Sequence, residues 1–265
     1  MLAKQVPDTS SGRRFEGSRL VRGEDDVLNE FDENAVEAAA QLVAAYGGEV
    51  LAVSMGPEDT SDALIRCLAL GADSAYLLSD PLLENADVTV TARALAALIA
   101  LLAEEEAIDL VLCGMAASDA MTSMLPAALA AVMNVPLVSQ VRELTVDPAN
   151  GYVQALRSVD GVDETLRAPL PAVVSVTDQL NESRFPGFKD LKAARMKPLV
   201  QAELDDVAGY DPSGCLSELV SGAHSEMPLS VVSMTEHNRD GSGEVFTDTG
   251  DGGTRLAEFI EEKMK

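Results

Sequence analysis

The sequence predicts an α/β fold built on a doubly wound, mostly parallel sheet. Short apolar runs of strand length alternate with Ala- and Leu-rich runs of helical length between residues 33 and 176. The strand-like runs are apolar at successive positions, as expected for strands that helices cover on both faces. With 265 residues, of which 47% are hydrophobic, the chain is long and apolar enough to bury a large core.

The helices and strands can be placed in order along the chain. Val36, Ala39 and Val43 repeat at helical spacing, which predicts a helix over 33–46 that ends at Gly47. The same reasoning predicts further strands at 49–54, 75–78, 108–113, 137–141 and 170–176, and further helices at 61–70, 87–105, 120–133 and 254–264.

Three regions depart from this alternation. Residues 10–25 are polar and contain Gly and Arg, which predicts a loop. Residues 141–167 alternate polar and apolar side chains around an Asn-Gly turn, which predicts a β-hairpin insertion. Beyond about residue 200 the chain becomes acidic, with a Gly/Ser-rich stretch. We therefore expect an α/β domain over 1–200 and a different C-terminal region over 201–265.

The charge balance excludes one class of function. Acidic residues outnumber basic ones by 44 to 19, which gives a formal charge of −25. Such a chain repels polyphosphates, so a generic nucleic-acid binder is excluded. The acidity, with more Arg than Lys, is typical of proteins adapted to high salt, although a mesophilic protein with an acidic surface fits it too.

The cysteine and histidine patterns predict neither a disulfide framework nor a metal site. Cys67, Cys113 and Cys215 are widely spaced, and His224 and His237 lack partner residues. The sequence contains no apolar run long enough to span a membrane and no signal-peptide pattern. These features predict a cytoplasmic protein.

Two predicted strand ends carry small residues suited to a phosphate. Ser54, Met55 and Gly56 follow one strand, and the stretch from Gly114 to Asp119 follows another. Ligands of parallel sheets bind beyond the carboxyl ends of the strands, where free N–H groups bind phosphate. Glycine at such turns is also ordinary in any α/β protein. No Rossmann, P-loop or hydrolase motif is present, so no catalytic residue is predicted.

Several stretches in a fixed order resemble the β subunit of electron-transfer flavoproteins (the EtfB/FixA family). The resemblance runs from residue 3 to about residue 200. Its most specific part is Arg157-Ser-Val-Asp-Gly-Val-Asp-Glu-Thr-Leu-Arg167, followed by Leu170-Pro-Ala172 and Asn181-Glu-Ser-Arg-Phe-Pro186. The other matching stretches are Lys4–Thr9, Leu28–Ala38, Val53–Pro57, Ala69–Asp73, Asp109–Gly114 and Leu166–Val174.

The resemblance implies an adenine-nucleotide α-hydrolase-like fold and an electron carrier rather than an enzyme. It implies a heterodimer with an α subunit that holds most of the redox FAD, while the β subunit binds AMP and contacts the α subunit through an extended C-terminal arm, here 201–265. Electrons would pass from flavin dehydrogenases, such as those for acyl-CoA, to a quinone reductase or a ferredoxin-type acceptor. One alternative is an electron-bifurcating member with a second FAD in this subunit. The other is a stand-alone nucleotide-binding regulatory protein.

The resemblance also assigns the nucleotide pocket. Asn29 matches an Asn that closes the pocket, and its alternative role is an N-cap for the following helix. Met121 and Met124 replace an Asp and a Gln of the family's usual loop, and methionine cannot donate a hydrogen bond to phosphate. The predicted cofactor-binding residues are Ala3, Lys4, Asn29, Ser54, Met55, Gly56, Gly114, Asp119, Thr122, Ser123, Met124 and Leu125.

Two further regions match the family's partner-binding residues. Glu164 matches a carboxylate that pairs across subunits with an α-subunit Arg, the alternative being an ordinary exposed Glu. The recognition loop over 181–195 docks dehydrogenases in the family, and Phe188 takes the position of its apolar anchor; the alternative places Phe188 in the core. The predicted partner-binding residues are Glu164, Arg184, Phe188, Lys189, Leu191 and Lys192.

Overall fold

The computed structural model describes residues 1–223, 229, 231–233, 235 and 247–264. It divides into two compact units, Met1–Val231 and Val232–Lys265. In the second unit a helix covers Gly252–Lys263, close to the predicted 254–264, and none of its described residues is buried. His224, His237 and most of the acidic Gly/Ser stretch lie outside the described residues.

The first unit is an α/β structure, as the sequence predicts. Its strands are β1 Gln5–Pro7, β2 Phe15–Glu16, β3 Arg19–Leu20, β4 Asp26–Leu28, β5 Leu51–Met55, β6 Ser74–Leu78, β7 Leu110–Gly114, β8 Leu137–Asp147, β9 Tyr152–Val159, β10 Val162–Pro169, β11 Ala172–Val176 and β12 Leu199–Ala202. Its helices are α1 Glu30–Tyr46, α2 Ser61–Leu70, α3 Val88–Leu102, α4 Leu125–Met133, α5 Phe188–Ala194, α6 Leu204–Val207 and α7 Cys215–Val220; the helix of the second unit is α8.

The strands form two larger sheets joined by the first residues of the chain. One sheet has the order β12-β6-β5 and the other β10-β9-β8-β11-β7. Residues 1–3 lie between β5 and β7, where the Leu2 N–H donates to the Leu112 carbonyl at 2.8 Å and the Ala3 N–H donates to the Val53 carbonyl at 2.9 Å. The paired strands β12, β6 and β5 are parallel, as are β7, β11 and β8.

Alternate residues of the strands enter two separate hydrophobic cores. Leu112 packs into the core that contains α1 and α2, whereas its neighbours Val111 and Cys113 pack into the core that contains α3, α4, α6 and α7. Successive side chains of a strand point to opposite faces of a sheet. Helices therefore cover both faces, which explains why the strands are apolar at successive positions.

Two predicted elements differ from the structure. The predicted helix 120–133 is wrong at its start, because α4 begins only at Leu125. Pro126 lies in the first turn, where proline is tolerated; inside a longer helix its missing N–H would break the hydrogen bonding. The predicted loop over 10–25 contains the short antiparallel strands β2 and β3.

The chain between β8 and β10 is antiparallel. Asp147 of β8 faces Tyr152 of β9, and Arg157 of β9 faces Glu164 of β10. Further along, β12 pairs with β6, and Leu204 and Leu216 are fully buried. The compact first unit therefore continues well past residue 200.

Among the residues that the structure describes, no helix is long and apolar enough to cross a lipid bilayer.

Candidate functional site

The predicted nucleotide residues lie at the carboxyl ends of neighbouring parallel strands. Met55 ends β5, Gly114 ends β7, and Lys4 follows the segment that lies between these two strands. This is the edge at which sheets of this kind bind ligands. Ala3 is buried between the strands, Ser54 and Gly56 flank Met55, and Leu125 begins α4.

Asp32, which the sequence reasoning missed, connects Lys4 to the end of β7 through hydrogen bonds. Its buried carboxylate accepts the Lys4 N–H at 2.9 Å and the Gly114 N–H at 3.1 Å. Burial raises the pKa of Asp32 to about 7, against the opposing effect of these donors and of Asn29. The available signal was its place in the first turn of α1, directly after a strand.

Asn29 holds the loop after β7 and does not cap α1. It occupies the N-cap position, but its side chain makes no capping hydrogen bond. Its Nδ2 donates to the Ala116 carbonyl at 2.9 Å, and its Oδ1 accepts the Ser118 N–H at 3.0 Å. The side chain is fully buried, so these two bonds fix the loop in a site closed to water. The predicted capping role is therefore wrong.

Asp119 is the acidic centre of a cluster of cations. The Lys4 ammonium lies 2.7 Å from its Oδ2, and the Arg22 guanidinium bonds to the same oxygen. Burial opposes ionisation of Asp119, but the two cations outweigh it and hold the pKa of this carboxyl below its ordinary value. Arg13 donates to the backbone carbonyl of Ser118, next to Asp119. The sequence reasoning missed both arginines.

The loop from Met121 to Met124 presents backbone and hydroxyl groups to solvent. Thr122 and Ser123 are exposed, and they precede α4, whereas the predicted helix over 120–133 included them. Met121 and Ser123 have φ of 52°, in the left-handed region that non-glycine residues rarely adopt. Half of each of the Met121 and Met124 side chains is exposed, and neither can donate a hydrogen bond.

Two buried polar atoms at this edge have no hydrogen-bond partner among the described residues. They are the Ser54 hydroxyl and Asp119 Oδ1. A buried polar atom without a partner is costly, and native structures contain few of them. Together with the nearby cations and exposed hydroxyls, these atoms fit an adenine nucleotide, whose hydroxyl and ring groups would satisfy them.

A second feature is an exposed apolar surface on α5, which we call the α5 surface. The exposed fraction of Phe188 is 84% and that of Phe185 is 92%, so Phe188 does not lie in the core. Ala194 is the one buried residue of this helix. The α5 surface consists of Phe185, Phe188, Leu191 and Met196 with the exposed bases Lys189, Lys192 and Arg195.

Arg184 is half-exposed and is paired within the chain. Its guanidinium makes two hydrogen bonds to the buried Glu37 carboxylate of α1, at 2.5 and 2.8 Å. One turn earlier in α1, Asn34 exchanges hydrogen bonds with Asn181, at 2.8 and 3.1 Å. The chain that leads into α5 is thus fastened to α1 at two points.

We expect Glu37→Gln to lower the free energy of unfolding by about 1 kcal/mol near neutral pH, because a charge-assisted pair with a half-exposed Arg184 is lost. Arg184 holds the pKa of Glu37 below its ordinary value. The ionised carboxylate therefore stabilises the fold above that ordinary pKa, and this stabilisation is lost as pH falls through the lowered pKa.

Urea unfolding between about pH 7 and pH 3 checks this expectation. The difference between parent and variant should shrink as pH falls, and a constant difference would contradict it. The control is Glu33→Gln, which removes a carboxylate from the same helix at a partly exposed pair with Arg66.

Glu164 already has a partner within the chain. The Arg157 Nε lies 2.7 Å from Glu164 Oε2, across the β9–β10 pair, and Arg157 also donates to the Ser139 hydroxyl at 3.2 Å. The Glu164 side chain is partly exposed. A partner arginine would share this carboxylate with Arg157.

The comparisons with known proteins agree on one family. A family model described as "Electron transfer flavoprotein domain" matches residues 19–207. The chain is 34% identical to "Electron transfer flavoprotein subunit beta" of Mycobacterium leprae, over 98% of this chain and 96% of that protein. It is 31% identical to "Caffeyl-CoA reductase-Etf complex subunit CarD" of Acetobacterium woodii, over 93% of this chain and 90% of the relative. "Protein FixA" of Azotobacter vinelandii is 33% identical over 72% of this chain and 70% of its own length.

These matches confirm the resemblance found in the sequence. The match to the family model includes Asn29, Asp119 and the α5 surface. The similarity to subunits called beta extends over nearly the whole chain. The chain therefore belongs to the electron transfer flavoprotein family, as a beta-type subunit that functions in electron transfer.

Proposed function

We propose that this chain pairs with an α subunit that holds most of the FAD, and that it carries electrons from flavin dehydrogenases to a quinone reductase or a ferredoxin-type acceptor. FAD, when bound, supplies the electron-transfer chemistry. This chain binds a nucleotide, shapes one side of the complex and docks the dehydrogenase. No residue of this chain is proposed to act as a catalytic acid, base or nucleophile.

The nucleotide that we propose for this chain is AMP. The observation that carries this part is the fixed loop after β7: the buried Asn29 bonds to Ala116 and Ser118, and Lys4 pairs with Asp119. Thr122 and Ser123 offer hydroxyl donors to a phosphate. The Ser54 hydroxyl would bind the adenosine part, which would satisfy its missing hydrogen bond.

The α5 surface is the proposed docking site for dehydrogenases. Phe188 is an exposed aromatic side chain, and the exposed bases Lys189, Lys192 and Arg195 follow it in a chain with a formal charge of −25. Large aromatic side chains dominate the free energy of many protein interfaces, and charge complementarity adds to the rate of association. The paired Glu164 and the residues beyond Val231 are proposed to contact the α subunit.

Co-purification with the α subunit, followed by release and counting of cofactors, tests the proposal. The expected result is a yellow heterodimer with one FAD and one AMP. Two FAD per heterodimer would replace the AMP assignment with the bifurcating alternative. A colourless chain that joins no second polypeptide would refute the carrier function and favour the stand-alone regulator.

A further inference from the structure

Three cations of this acidic chain meet at a single loop. Lys4 and Arg22 both contact Asp119 Oδ2, and Arg13 bonds to the Ser118 carbonyl. Among the described ion pairs, Asp119 is the carboxylate that is shared by two bases. The chain has 44 acidic and 19 basic residues, so this local group of bases stands out. Such a group of positive charges attracts an anionic ligand.

Both arginines come from one β-ribbon, residues 8–25, which we call the strap. The two ends of the strap are joined by a hydrogen bond from the Asp8 N–H to the Asp25 carbonyl at 2.9 Å. Its middle is held by the pairing of β2 with β3. In that pairing Phe15 faces Leu20, and the Val21 N–H donates to the Arg14 carbonyl at 2.9 Å. The same register places Arg13 opposite Arg22. The two arginines therefore contact the loop from neighbouring points on the two sides of the strap.

The charges at this position do not cancel. Asp119 supplies one negative charge against the two positive charges of Lys4 and Arg22. Arg13 has no carboxylate within ion-pair distance among the described residues and bonds instead to a neutral carbonyl. The loop therefore carries an excess positive charge beside the exposed hydroxyls of Thr122 and Ser123.

We propose that Arg13 and Arg22 of the strap, together with Lys4, bind the phosphate of a nucleoside 5′-monophosphate at this loop. This inference rests on the proposed function, since it concerns the same nucleotide. The planar guanidinium groups match phosphate oxygens, whereas the side chains of Met121 and Met124 in the loop offer no donor. The strap thereby selects nucleotides that carry a phosphate over the corresponding nucleosides.

Equilibrium binding of AMP and of adenosine to the full chain, in the complex in which it is isolated, tests the inference. In Arg13→Gln and in Arg22→Gln the affinity for AMP should fall at least about tenfold, as expected for a lost charge-assisted contact, while the affinity for adenosine changes less than about twofold. Arg22→Lys keeps the charge and should retain most of the AMP affinity.

Arg19→Gln is the matched control, because Arg19 lies on the strap but pairs with Glu84 at 3.8 Å. It should change neither affinity. An equal loss of AMP and adenosine binding in the Arg13 and Arg22 variants would assign these residues a purely structural role and overturn the inference. Unchanged AMP binding would overturn it while leaving the proposed AMP site intact. A parent protein that binds no AMP would refute the AMP site itself, and the inference with it.

Discussion

Gly114→Ala is expected to lower the free energy of unfolding by about 3 kcal/mol, because no space exists for a methyl group at the end of β7. A Cβ at this position would lie 2.6 Å from Asp32 Oδ1, 2.7 Å from the Phe31 Cβ and 2.8 Å from the Phe31 backbone carbon. The start of α1 would have to move away from the strand. The hydrogen bond from the Gly114 N–H to Asp32 would be lost with this movement.

The change should also reduce nucleotide binding. Asn29 directly precedes α1, so a shift of α1 would disturb the hydrogen bonds from Asn29 to the loop. Urea unfolding measures the free energy of unfolding, provided that its dependence on urea concentration is the same in both proteins. The AMP content of the purified protein measures nucleotide binding. The control is Gly209→Ala, whose added methyl would have no atom within 4 Å. If the two variants proved equally stable, the close approach of α1 to β7 would be refuted.

Phe188→Ala is expected to lower the catalytic efficiency of reduction by a partner dehydrogenase at least tenfold, as expected for the loss of an aromatic side chain central to an interface. Phe188 is 84% exposed, so its removal should change the free energy of unfolding by no more than about 0.5 kcal/mol. Steady-state reduction of the carrier at varied carrier concentration measures the effect. The FAD content should stay the same.

Leu82→Ala serves as the control for the loss of an exposed apolar side chain away from α5, and it should leave the rate unchanged. Phe185→Ala removes a second aromatic side chain of the α5 surface that is exposed to a similar degree. Its effect shows whether the dehydrogenase also contacts Phe185. Equal rates for the parent and Phe188→Ala would remove Phe188 from the docking site.

The periodicity of apolar residues was sufficient to predict most of the first unit. It located α1 and its end at Gly47, as well as α3, whose N-cap Asp87 accepts the Thr89 and Val90 N–H groups. It failed at the start of α4, because periodicity does not report the left-handed conformation of Met121 and Ser123. It also missed β12, a short edge strand whose side chains are only partly buried.

The candidate site was only partly predictable, for a different reason. Local patterns and the family resemblance placed Asn29, Asp119 and the strand ends, but they could not show what Asn29 bonds to. Arg22 meets a residue 97 positions away, and Arg13 meets one 105 positions away. Contacts over such separations follow from the tertiary fold and leave no periodic signal in the sequence.

The bases of the α5 surface have a consequence for the approach of other molecules. Lys189, Lys192 and Arg195 are exposed on one short segment of a chain whose formal charge is −25. The same segment contains one carboxylate, Asp190, so the three bases leave it with a local excess of positive charge. An acidic protein would therefore meet less electrostatic repulsion when it approaches α5 than when it approaches an acidic part of the surface, and added salt would weaken this difference.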